Sequence, residues 1–114
     1  ELARLKGALV GELLEVLDNL DRSLQALPDT ADDSLRQGLQ LVRDQFFETL
    51  ARFGLWEVDA LDAPFDPRVH EAVATAPVTD PARDGRVLAV LKPGYRLGEQ
   101  LIRPAMVQVG RLER

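Results

Sequence analysis

The chain has 114 residues, with no cysteine, one histidine, 14 Lys and Arg against 19 Asp and Glu, and 46% hydrophobic residues. A chain of this size closes one modest core, and without cysteine it has no disulfide, thiolate metal site or cysteine nucleophile. No run approaches the roughly 20 apolar residues that span a bilayer and no basic-then-apolar leader is seen, so the expectation is a cytoplasmic chain without a membrane partner. Beginning at Glu1 instead of Met, the sequence reads as a fragment.

Charge is unevenly spread. Residues 1–54 carry six basic and ten acidic side chains, residues 55–84 two and seven, and residues 85–114 six and two, which sum to the formal −5. The basic stretch is spaced out and holds one aromatic, Tyr95. Nucleic-acid surfaces combine a dense basic stripe with stacking aromatics, so no nucleic-acid partner is expected.

The first half has helical periodicity. Leu2, Leu5, Leu9, Leu13, Val16 and Leu20 recur at intervals of three and four, and Leu17, Leu24 and Leu27 widen the stripe. Pro28-Asp29-Thr30-Ala31-Asp32-Asp33 then combines a helix breaker with residues suited to start a new helix. The second helix carries Leu35, Leu39, Val42, Phe46, Leu50 and Phe53, and Gly54 stands at its C-terminal cap.

After Gly54 the period shortens. Leu55 to Leu61, Glu71 to Ala76, Arg86 to Lys92 and Ala105 to Val109 read as short strands separated by Pro and Gly, with Pro93-Gly94 as a turn between two of them. Pro104 fits only the start of a strand or an edge. The fold class is therefore α+β. It comprises a helical hairpin over 1–54, serving dimerisation, followed by a small, mostly antiparallel β domain over 55–114.

Two helices with apolar faces this wide need more cover than about sixty further residues supply. Pairing two hairpins into a four-helix bundle across a two-fold axis would provide it, with Leu13, Leu17, Leu20, Leu24, Leu39, Val42, Phe46 and Leu50 at the interface. A homodimer is expected. The alternative is a monomer whose hairpin packs on its own β module.

Catalytic chemistry finds little support. His70 stands alone, and a hydrolytic reading would have to join it to Asp66 and Glu71. Ser34, beside Asp33 at a helix start, fits a capping role better than a nucleophile's. Asp32-Asp33 suits helix capping, and Glu57, Asp59 and Asp62 fit one solvated strand face. Neither a G-x-x-x-x-G-K nor a G-x-G-x-x-G phosphate loop occurs. No enzyme, catalytic residue, cofactor or metal is expected. Gly38 is unusual in costing the helix interior roughly 1 kcal/mol without a local reason, so it is either neutral drift or a point where something approaches the backbone closely. Phe65-Asp66-Pro67 puts an apolar residue beside a turn, either as a core plug, the favoured reading, or as an exposed contact.

Together, Phe65-Asp66-Pro67-Arg68-Val69-His70-Glu71-Ala72, then Gly94-Tyr95-Arg96-Leu97-Gly98, then Ile102-Arg103-Pro104-Ala105-Met106-Val107-Gln108-Val109 resemble the signature of the GrpE family. The segment from Leu13 to Leu24 resembles that family's first bundle helix. The resemblance implies a nucleotide exchange factor, a co-chaperone that binds the ATPase domain of DnaK and promotes ADP release. It also implies a parallel homodimer with a coiled-coil lead-in, a four-helix bundle and β wings. Carried over by position, the DnaK-facing residues would be Arg22, Gln25 and Gly38 in the helices, and Phe65, Pro67, Leu91 at a hairpin, Gln100 and Val109 in the wing. The family's usual Lys before Gly-Tyr is Pro93 here, and Gln100 stands where a basic residue is common, with Arg103 nearby. The alternative function is a structural dimerisation module without exchange activity.

Overall fold

The structure, a computed structural model, describes residues 1–113. It divides into two compact units, Glu1–Leu55 and Trp56–Arg114. The first holds helices α1 (Leu2–Ala26) and α2 (Asp33–Ala51). The second is built mainly of strands, with a 3-10 turn at Pro81–Arg83, and β1 (Leu55–Glu57) begins on the last residue of the first unit. The α+β class and the helix-then-sheet order are as the sequence implies.

The two helices pack on each other. α1 buries Gly7, Val10, Leu14 and Leu17, and α2 buries Leu50. The stripe covered within one chain is thus rotated from the run Leu2, Leu5, Leu9, Val16, whose members stay exposed. Arg43 ties the pair together, its Nε donating to Asp21 Oδ1 at 2.7 Å while its guanidinium lies 5.4 Å from the Phe47 ring centroid. At the start of α2 the cap is Asp32, whose Oδ1 accepts the Ser34 N–H at 2.9 Å. This corrects the capping role expected of Ser34, which lies inside the first turn and supplies the capped amide. Asp32-Asp33 otherwise behaves as capping chemistry predicts, with Asp33 in the first turn. At the other end α2 stops at Ala51 with Arg52 at the C-cap, which corrects the expected end: Phe53 lies beyond the helix and is exposed, and Gly54, with φ +105°, follows the cap in a conformation open to glycine.

The second unit has two three-stranded sheets. One is ordered β1-β4-β5, with β4 at Tyr95–Leu97 and β5 at Gln100–Arg103. The other is ordered β2-β6-β3, with β2 at His70–Val78, β3 at Val87–Lys92 and β6 at Ala105–Leu112. The β4–β5 and β3–β6 ladders are antiparallel. The long β2–β6 ladder is parallel, pairing His70 with Ala105 and Val78 with Leu112. Ala60, Val87, Ala105 and Val107 form the core beside the second sheet, with Phe65, Val90 and Val109 packed against it.

Two local expectations are corrected, one is met, and one hairpin is new. The strand read over Leu55 to Leu61 stops at Glu57, and a turn follows in which Asp62 has φ +65°. Glu57, Asp59 and Asp62 therefore do not share one strand face. Pro93-Gly94 is not a hairpin tip, because β3 pairs with β6 and not with β4; these residues carry the chain from one sheet to the other. Pro104 makes the return switch, ending β5 and preceding β6, where its missing N–H costs no ladder bond. Lastly, β4 and β5 form a two-residue hairpin at Gly98-Glu99 that the sequence reading did not separate, with Gly98 at φ +59° as such turns demand.

The two sheet switches lie against each other. A Cβ on Gly94 would stand 2.7 Å from the Pro104 carbonyl carbon, 2.9 Å from Ala105 Cα and nearer still to the Ala105 amide nitrogen. Only glycine permits that approach, and Gly94 O also accepts the Val58 N–H at 2.9 Å.

Candidate partner-binding surface

The residues expected to face a partner fall into three physical situations. Arg22, Gln25 and Gly38 are exposed on the helical unit, toward the turn that joins α1 to α2. Arg22 Nη1 donates to Asn19 Oδ1 one helical turn back. A Cβ on Gly38 would meet nothing within 4 Å, so nothing in the chain itself requires glycine there.

Pro67, Leu91 and Gln100 are exposed on the β unit. Leu91, on β3, is 60% exposed, unusual for a leucine flanked by half-buried Val90. It lies in a regular strand, not at the hairpin expected for it. Gln100 opens β5 and so belongs to the other sheet.

Phe65 and Val109 differ from these. Both pack against the core of Ala60, Val87, Ala105 and Val107, so Phe65 is the core plug that its sequence context favours. Val109, paired with Thr75 and Val87, lies mid-ladder on the central strand. Arg103, considered as a stand-in for the basic residue absent at position 100, is held elsewhere. Its Nε donates to Pro93 O at 2.9 Å and its guanidinium lies 5.3 Å from the Tyr95 ring centroid, with Tyr95 fully buried.

The turn before β2 is the most tightly tied segment of this surface. Asp66 Oδ1 accepts the Arg68 N–H at 3.0 Å, and its two carboxylate oxygens accept from Arg68 Nε and Nη2 at 3.1 and 3.0 Å. Those charge-assisted bonds from Arg68 hold the Asp66 carboxyl below its ordinary value, and Asp66 in turn raises Arg68. Asp66 O accepts the Val69 and His70 amides at 3.1 and 2.8 Å. His70, buried at 5% exposure, accepts the Asp66 N–H on Nδ1 at 2.9 Å. An accepting Nδ1 bears no proton, so the neutral ring carries its proton on Nε2. The hydrolytic grouping of His70 with Asp66 and Glu71 therefore lacks its parts: the Asp66 carboxylate is engaged by Arg68, the His70 Nδ1 by a backbone amide, and Glu71 is exposed.

Two features escaped the sequence reading. Trp56, the single tryptophan, donates from Nε1 to Gly98 O at 2.9 Å under the Arg96 guanidinium, bracing the β4–β5 turn. Leu61 is exposed at the rim of a shallow depression of about 270 Å³ lined by Glu57, Val58, Asp59, Ala60, Leu61 and Val90. A leucine set between Asp59 and Asp62 ahead of Pro64 was the available signal for the second. Nothing in local sequence pairs Trp56 with Gly98.

Among the described residues no cluster of three or more His, Cys, Asp or Glu is placed to hold a metal ion, and no helix is long and apolar enough to cross a membrane.

The GrpE family model matches residues 5–111. A protein named Protein GrpE from Thermus thermophilus is 45% identical over 102 residues, covering 90% of this chain and 55% of that protein. Proteins of the same name from Alcanivorax borkumensis and Clostridioides difficile are 42% and 38% identical over 106 and 101 residues. Each match covers 89% of this chain, with 54% and 48% of the respective relative. The chain spans about half the length of the curated relatives it matches.

Proposed function

From the premise that this chain belongs to the GrpE family, we propose that it is a nucleotide exchange factor that binds the ATPase domain of a DnaK chaperone and promotes ADP release. The observation that carries the reading is the family match over residues 5–111, which takes in all three β segments of the resemblance and the helical hairpin. The exposure of Pro67, Leu91, Gln100 and Gly38 supports it, since each is open to a partner.

The mechanism is differential binding. A surface that fits the open nucleotide cleft better than the closed one shifts the chaperone toward the open form and weakens its hold on ADP. The largest possible shift equals the difference in affinity for the two forms. The protein's part is to present a rigid surface, and the interlocked sheet switches at Gly94 and Pro104 and the braced turn at Asp66 supply that rigidity. No step calls for a catalytic group.

The chain acts as a homodimer in this proposal. Leu2, Leu5, Leu9, Leu13, Val16 and Leu20 form a ridge at intervals of three and four, and Leu2, Leu5 and Leu9 are each at least 60% exposed. Knobs-into-holes pairing with the same ridge of a second copy removes that surface from water. Val42, 52% exposed, and half-buried Leu13, Leu20, Leu24, Leu39 and Phe46 have area left to bury in a bundle. Leu17 and Leu50, buried already within one chain, contribute through the hairpin's own packing.

Stopped-flow release of a fluorescent ADP from DnaK tests the proposal. The expected result is a release rate that rises with chain concentration and saturates. A rate independent of the chain refutes exchange activity and leaves the structural dimerisation module.

A further inference from the structure

We infer that His70 is a positioning residue whose Nδ1 latches the Phe65-Asp66-Pro67 turn in the conformation that presents Pro67. The inference rests on the exchange-factor reading only for what the turn is presented to.

The turn is closed by a reciprocal pair. His70 N–H donates to Asp66 O at 2.8 Å, and Asp66 N–H donates to His70 Nδ1 at 2.9 Å. The first bond would form in any helical-type turn whatever the side chain. The second exists only because residue 70 offers an acceptor at the δ position of a buried side chain. One end of the segment is also anchored to the turn before β3 and the other to the first residue of β6. Phe65 N–H donates to Gly85 O at 2.9 Å, and Val69 O accepts the Ala105 N–H at 3.0 Å.

Between those anchors Pro67 has no N–H to give; the Arg68 and Val69 amides bond to Asp66 Oδ1 and O, and the Asp66 amide is the donor that ties the turn to the side chain of residue 70. Without an acceptor at residue 70, that part-buried amide loses its partner and the turn can trade its inward set for one that hydrates the amide. Phe65, whose ring centroid lies 5.9 Å from that of His70, would be loosened with it. His70 thus serves as a latch, and its burial keeps water from competing for the amide.

Three variants of the whole chain separate the acceptor from the bulk. His70→Asn places an oxygen where Nδ1 stands, His70→Gln moves the acceptor one bond outward, and His70→Leu keeps volume without any acceptor. Amide hydrogen exchange at Asp66, read by NMR, is expected to speed about tenfold in the Leu and Gln variants and to stay near wild type in the Asn variant. The β2–β6 amides should keep their protection in all three. Acceleration of ADP release should fall several-fold with Leu and Gln and be rescued by Asn.

Equal Asp66 protection in the Asn and Gln variants overturns the latch, and so does unfolding of the Asn variant, which retains the acceptor. If His70→Leu unfolds the β unit, the Asn and Gln pair decides. A loosened turn with unchanged ADP release overturns the positioning role. A wild-type chain that leaves ADP release unchanged refutes the exchange-factor reading instead, and the Asp66 amide rates then decide the latch alone.

Discussion

Gly94→Ala isolates the feature that joins the two sheets. The added Cβ would lie 2.7 Å from the Pro104 carbonyl carbon and 2.9 Å from Ala105 Cα, against backbone and not against the end of a flexible side chain. No rotamer change relieves such a clash. Either β6 shifts away from residue 94, straining its ladders with β2 and β3, or the chain around Gly94 moves and weakens the bond from Val58 N–H to Gly94 O. Overpacking in a well-packed region costs roughly 1–3 kcal/mol, and a backbone neighbour places this case at the upper end, about 3 kcal/mol. Against a total stability of roughly 5–15 kcal/mol that is a large fraction. At about 4–8 °C per kcal/mol for a small domain, the midpoint should fall by more than about 10 °C. Trp56 is the only tryptophan and is bonded to Gly98 in the β4–β5 turn, so its fluorescence follows this transition. Gly38→Ala is the control, because the same methyl enters open space in a helix interior and should stabilise by roughly 0.5–1 kcal/mol. A Gly94→Ala midpoint within about 2 °C of wild type would refute the close-approach argument.

Leu17→Ala, at a fully buried position, should cost about 2–5 kcal/mol by denaturant unfolding, whereas Leu41→Ala, at 68% exposure, should stay within about 0.5 kcal/mol. Leu91→Ala should change stability by less than about 0.5 kcal/mol while slowing stimulated ADP release several-fold; a lowered midpoint with an unchanged rate would assign Leu91 to the fold alone. Because Arg68 holds the folded Asp66 carboxyl below its ordinary value, that pair's stabilisation is present above the ordinary carboxylate range and is lost as pH falls through the folded value. Asp66→Asn should therefore flatten part of the acid limb of the unfolding curve and leave the alkaline side unchanged. Leu20→Asp, on the ridge assigned to pairing, should halve the mass seen by sedimentation, and a wild-type mass of one chain at micromolar concentration would exclude the dimer.

What could be read from the sequence divides by the range of the interaction. Helical periodicity is local, so α1 and α2 were legible, although α2 stops at Ala51, before the Phe53 and Gly54 that the apolar spacing included. Which side of α1 the hairpin covers was less so, since leucines occur on both sides and burial selected Val10, Leu14 and Leu17 over Leu5 and Leu9. Among the strands, those of the β2-β6-β3 sheet announced themselves by runs of Val and Ala. β1 lies within the longer strand read over Leu55 to Leu61, whereas β4 and β5, of three and four residues, are too short to show a period and are defined by their ladder. Pro93-Gly94 signalled a turn correctly, but a turn signal does not say whether the chain folds back or passes to another sheet. The packing of Gly94 against Pro104 and Ala105 decides that, and it lies beyond any local pattern. At the candidate surface, Gly38, Pro67, Leu91 and Gln100 came from family resemblance and are exposed, whereas Phe65 and Val109 came from the same source and lie partly in the core. His70 illustrates the opposite case, where a residue weighed for catalysis is engaged in a backbone contact that only the fold reveals.

Exchange by differential binding makes a demand that a release rate alone does not test. If the chain weakens ADP binding by some factor, ADP must weaken binding of the chain by the same factor. The decisive measurement is the dissociation constant of the chain for the DnaK ATPase domain, by isothermal titration, without nucleotide and again with saturating ADP. The account predicts weaker binding with ADP, by the same ratio by which saturating chain raises the dissociation constant of ADP. Equal affinities in the two states would contradict it.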